Sequence, residues 1–104
     1  MENGKIKIAN DVILIIADLA ISETAANEMI ARKQKGKGLN VAYDGDDLVF
    51  TVDLSVKYGA KIPQLCDEIQ KKVKTSVENM TGLTVKEVNV NVVGMNIEKT
   101  AKEA

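Results

Sequence analysis

Nucleophilic chemistry in this chain would have to come from Cys66 or from hydroxyl groups without an imidazole, because the sequence has a single cysteine and no histidine. Ser-His-Asp and Cys-His systems are therefore excluded, and so are His-ligated metal sites. Cys66 itself lies between Ile62 and Ile69 in a run with helical spacing, so it reads as a buried packing thiol rather than a nucleophile. Asp44, Asp46 and Asp47 are close enough in sequence to suggest a hard cation. A calcium loop needs a longer ligand series ending in a bidentate acid, whereas "DGDD" runs straight into Leu48, and a polar hairpin turn is the better reading.

The basic segment Arg32, Lys33, Lys35 and Lys37 is the candidate anion-contacting loop, with phosphates of RNA or an anionic lipid as the natural ligands. Stacking residues are scarce around it. Tyr43, Phe50 and Tyr58 are the whole aromatic set, their strand positions point them with the aliphatic face, away from a base, and "GKG" lacks the spacing of a G-x-x-G backbone clamp. With 14 Lys plus Arg against 15 Asp plus Glu, the net charge of -1 gives no basis for strong nucleic-acid binding. No catalytic residue, cofactor site or metal site emerges from the residue types.

The elements that position these residues are legible from spacing. "GKIKIA" predicts a short first strand, and "NDVILIIADLAISETAANEMIARK" begins a helix with Asn10 or Asp11 as N-cap. Val12, Ile15, Ile16 and Leu19 share one face of it and Ala26, Met29 and Ile30 nearly continue that face, although Ser22, Glu23 and Thr24 make the middle polar and a single unbroken helix is not required. Leu39, Val41 and Tyr43, then Leu48, Phe50, Val52, Leu54 and Val56, alternate with polar residues around an Asp-Gly step, which predicts an antiparallel hairpin. Ile62, Cys66, Ile69, Val73, Val77 and Met80 form the apolar stripe of a second helix, with Pro63 suited to its first turn and Gly82 to its left-handed stop. Val88, Val90 and Val92 alternate with Glu87, Asn89, Asn91 and Val93 in a last strand, and Val85 is out of phase, which predicts a bulge or a later start.

The expected fold class is therefore α+β in the order β-α-β-β-α-β, with two helices on one face of a mainly antiparallel four-stranded sheet and a ferredoxin-like arrangement as the first topology. The opposite, solvent-facing side of that sheet carries Asp53, Ser55, Lys57, Asn89 and Asn91, and this is the candidate partner surface. The chain's 104 residues, 45% of them hydrophobic, suit one domain with one core, set at residues 1–98, with 99–104 as a frayed tail. "VILIIADLAI" is broken by Asp18 and is about half the length of a membrane span, and the N-terminal residues lack the layout of a signal peptide. A lone cysteine agrees with a reducing compartment, so the expected location is the cytoplasm.

One resemblance goes further than periodicity. The run Y-G-x-K-I-P from Tyr58, then N-M-T-G-L from Asn79, then V-N-V-x-V-x-G-M from Val88 to Met95 resembles the C-terminal part of the alkaline shock protein family, and "GKIKIANDVILIIADLAISE" is similar to that family's N-terminal strand and helix. Between Thr24 and Gly38 the chain departs from the family's Gly-Val-containing turn and becomes basic. The resemblance implies a non-enzymatic cytoplasmic protein of Gram-positive-type bacteria, concerned with cell-envelope homeostasis and alkaline or envelope stress. It also implies a protein partner, membrane-anchored for some relatives, which makes membrane association indirect and without insertion; self-association into a homo-oligomer fits the same picture. A regulator of fatty-acid or phospholipid metabolism that binds an enzyme or acyl ligand is the second expectation, and an RNA-binding module the third.

Overall fold

The computed structural model describes residues 8–24, 29–30 and 38–96. Within them the chain runs α1 (Asn10–Ser22), β1 (Leu39–Asp44), β2 (Asp47–Lys57), α2 (Ile62–Thr81) and β3 (Val85–Asn96). β1 and β2 form an antiparallel hairpin with Asp44 opposite Asp47 across the Gly45-Asp46 loop, and Gly45 supplies the positive φ of 68° that the turn uses. β3 returns parallel to β2 after the α2 crossover, giving a three-stranded sheet in the order β1-β2-β3.

This α+β architecture agrees with the expectation in class and in its two helices, and it differs in detail. The described strands number three, with one antiparallel and one parallel pairing. A ferredoxin-like sheet would insert the first strand between β2 and β3, whereas here those two are hydrogen-bonded neighbours. Most of the expected first strand, residues 4–7, the basic segment at 32–37 and the tail at 99–104 lie outside the described residues.

The core is a single cluster in which Ile13, Ile16, Ala17, Ala20 and Ile21 of α1 and Leu65, Ile69, Val73 and Val77 of α2 meet Leu48, Phe50, Val52, Leu54 and Val56 of β2. Every second residue of β2 is buried, as its alternation predicts. The buried α1 face is rotated from the expected one: Ile16 is buried as expected, but Ile15 is 59% exposed and Val12 and Leu19 about half, while Ile13, Ala17 and Ala20 are buried. In "VILIIADLAI" almost any face is apolar, so periodicity cannot choose between rotations, and the packing uses the side whose two alanines allow close approach. α1 also ends at Ser22, where the Ser22 hydroxyl donates to the Leu19 carbonyl at 2.8 Å and Thr24 to the Ile21 carbonyl at 2.7 Å. These hydroxyls add a second bond to carbonyls that already accept the Glu23 and Thr24 N–H groups. Ala9, without a side-chain cap, precedes α1 in place of the expected Asn10 or Asp11 cap, and Ile30, expected near the helical face, instead bridges antiparallel to Val56.

α2 keeps its expected limits, with Pro63 in the first turn and Gly82 left-handed at φ 76°, its N–H bonded to the Glu78 carbonyl at 2.9 Å. Its stripe is shifted slightly: Leu65 joins the core, Ile62 and Cys66 are half-buried rather than buried, and Met80 is 70% exposed. The predicted irregularity at Val85 is a β-bulge, since Leu48 pairs with Val85 but Val49 with Glu87, which leaves Lys86 as the extra residue.

Candidate functional site: the polar face of the sheet

The face of the sheet opposite the core is assembled from alternate residues of β2 and β3. The register sets Thr51 against Asn89, Asp53 against Asn91, Ser55 against Gly94 and Lys57 against Asn96. All five predicted surface residues thus come together on two adjacent strands. Asp53 and Ser55 are half-buried; Lys57, Asn89 and Asn91 are exposed. The Asn91 amide donates to Asp53 Oδ1 at 2.8 Å and the Asn89 amide to Glu87 Oε1 at 3.3 Å, so amide side chains are held in fixed orientations rather than free. A second bulge between Leu54 and Ser55 sets Ser55 against Gly94, and a Cβ added to Gly94 would come within 2.9 Å of Ser55 Oγ, so glycine lets the two strands stay close there.

Charge at the end of this face is organised by the first bulge. Lys86 donates to Asp44 Oδ2 at 2.6 Å, linking β3 to β1. The Lys86 ammonium holds the Asp44 carboxyl below its ordinary value and is itself raised by the pair. Asp44 is therefore tied to a lysine, and no group of three or more acidic or thiol side chains suited to a metal occurs among the described residues. Cys66 packs against the core, and burial pushes its thiol pKa up, which lowers its nucleophilicity at neutral pH.

Sequence reasoning missed a set of contacts from α2 to β3. Glu78 Oε2 accepts the Val85 N–H at 2.8 Å, Lys74 Nζ donates to the Val85 carbonyl at 3.2 Å, and Gln70 Nε2 donates to the Val88 carbonyl at 3.1 Å. Their four-residue spacing is visible in the sequence, but on an amphipathic helix it looks like an ordinary solvated face. The Val85 N–H, with help from Lys74, depresses the Glu78 pKa below its ordinary 4.5. A carboxyl depressed in the fold adds stability that is complete above the unfolded pKa and is lost as pH falls through the folded one. Glu78→Gln should therefore lower the melting temperature modestly at pH 7, and the gap to wild type should close as pH falls through and below the ordinary carboxylate range. Melting curves across pH 3–7 check this, and a gap that is constant with pH would show that the charge does not contribute.

Two helices backing a small mixed sheet, with a polar opposite face and no described helix long and apolar enough to cross a membrane, define a small α+β domain. The C-terminal domain of MamM, solved in a zinc form, has a similar fold, with a TM-score of 0.53 at 15% identity over 84% of this chain and 87% of that one. The chain belongs to the alkaline shock protein 23 family, which has a cell envelope-related function and matches residues 1–97. Protein YqhY of Bacillus subtilis is 30% identical over 96% of this chain and 83% of its own length. Protein Spy1535 of Streptococcus pyogenes serotype M6 is 31% identical over 95% of this chain and 84% of its own length.

Proposed function

We propose that the protein is a non-enzymatic adaptor of the bacterial cell envelope that works from the cytoplasm through protein contacts made by the polar face of its sheet. The observation that supports this most is the ordered row of Asp53, Asn91, Asn89, Ser55 and Lys57 on two paired strands, because oriented hydrogen-bonding groups on a rigid surface suit a polar protein interface. The partner is membrane-anchored, and the domain reaches the membrane only through it.

Purified protein should remain in the supernatant with liposomes, anionic ones included, whereas in cells a fraction should sediment with membranes and disappear when the anchoring protein is deleted. Lys57→Glu combined with Asn89→Arg should release most of that fraction while shifting the melting temperature little, since both side chains are exposed. Protein found wholly outside the membrane fraction at rest and under alkaline stress, with no membrane protein cross-linked, would reject the adaptor reading and favour a role in lipid metabolism.

A further inference from the structure

We propose that the polar face of the sheet is an acceptor surface for an arginine-bearing segment of the partner protein, with one guanidinium set over Asp53 and Asn91 and another over Glu87 and Asn89. The inference rests on the protein-contact reading above and names the chemistry of the partner at that same face.

The directions of two hydrogen bonds carry it. A carboxylate oxygen only accepts, so an amide that bonds one must turn its nitrogen toward it. Asn91 does this to Asp53 at 2.8 Å and Asn89 to Glu87 at 3.3 Å. With the nitrogens committed sideways to the carboxylates, each asparagine keeps its carbonyl oxygen and one N–H for a partner. Each carboxylate has room for about four donors and receives one from its amide. Acceptors therefore outnumber donors along the row. Glu87, Asn89 and Asn91 are exposed and Asp53 is half-buried, so these acceptors stand at the surface.

Charge points the same way. Asp44, Asp47, Asp53 and Glu87 stand on this side of the strands against Lys57 and Lys86, an excess of two negative charges among the described residues. Lys86 is engaged by Asp44 and also lies near Glu87 and Asp47, whereas Asp53 is met by an amide rather than a cation. Lys57 ends β2 and repels a cation there, which places the basic side chains over the stretch from Asp53 to Glu87. An anionic lipid surface, RNA or a second copy of this face would meet like charge. Glu87 and Asn91 are four residues apart on β3, about 13 Å, so an extended segment laid along the strand matches them with arginines four residues apart. A guanidinium fork spans a carboxylate oxygen and the neighbouring amide oxygen together, which the point charge of a lysine does not.

The probe is a capped Gly-Ser peptide carrying two arginines four residues apart, added at low salt to the purified full chain. The side-chain amide signals of Asn89 and Asn91 should shift in nuclear magnetic resonance spectra and saturate. Asp53→Asn combined with Glu87→Gln should weaken binding at least about tenfold, and so should citrulline in place of arginine, which keeps the shape and removes the charge. Asp46→Asn takes a charge from the hairpin turn, away from both amide pairs, and should change the affinity less than about twofold. Far-UV circular dichroism of the variants should match wild type. Equal binding of the citrulline peptide, or an Asp46→Asn loss as large as that of the double variant, would overturn the proposal. Amide signals that move on dilution of the chain alone would also overturn it and assign the face to a second copy. In cells the Asp53→Asn, Glu87→Gln protein should leave the membrane fraction. Its retention there, while Lys57→Glu with Asn89→Arg is released, would reject the arginine contact and keep the adaptor reading; wild-type protein with no membrane fraction would reject the adaptor reading, and the peptide titration still decides the arginine contact.

Discussion

Val73→Asp should leave no cooperative melt at neutral pH. Val73 is fully buried on α2 between Ile69 and Val77, which are equally inaccessible, and the surrounding core is apolar. An ionised carboxylate there would lose its hydration, and either the charge or the proton needed to neutralise it costs on the order of 4 kcal/mol or more. A domain of this size has a total stability of about 5–15 kcal/mol, so the loss takes a large share of it. Val73→Ala separates charge from volume, because it removes two methyl groups and should cost only about 2 kcal/mol with the melt still cooperative. Thermal melts followed by far-UV circular dichroism check both, and an unchanged curve for the aspartate variant would mean that α2 presents a different face to the sheet.

Gly38→Ala should be the second most damaging single change. Gly38 precedes β1 with φ 80°, where an L side chain is strained, and a Cβ there would run into the main-chain oxygen of Asp53. The two residues are already joined, the Gly38 carbonyl accepting the Asp53 N–H at 2.6 Å. Backbone cannot retreat as a side chain can, so strain and collision add to about 3 kcal/mol, a fall of roughly 10–20 °C in Tm. Gly45→Ala is the internal control. Gly45 also has a positive φ, 68°, but a Cβ there meets nothing, so only the backbone strain of about 1–2 kcal/mol should appear. Equal losses at the two glycines would show that the contact with Asp53 is not tight.

Family, element types and most of the buried positions were legible in the sequence because they depend on local regularities. The alternation of Leu48 through Val56 could only be a strand with one dry face, the Asp-Gly step could only turn, and Pro63 and Gly82 bracket a helix by their own backbone preferences. The out-of-phase Val85 likewise announced its bulge. The side of the strands on which Asp53, Ser55, Lys57, Asn89 and Asn91 lie could be read for the same reason, since period two places alternate residues on one side whatever the neighbours are.

Tertiary structure decided what local pattern leaves degenerate. Nine apolar residues in the ten from Val12 to Ile21 allow several rotations, and only packing against α2 and the sheet selected Ile13, Ala17 and Ala20 over Val12, Ile15 and Leu19. Strand neighbours are not encoded in a strand's own period, so the direct parallel pairing of β2 with β3 had to come from the α2 crossover. The bond from Asn91 to Asp53 and the pair of Lys86 with Asp44 join residues 38 and 42 positions apart, and each exists only because the register and the bulge bring those side chains within reach. The same holds for the contacts of α2 with β3: Gln70, Lys74 and Glu78 look solvated on a helix drawn alone, and they become backbone partners only once that helix lies across the strand.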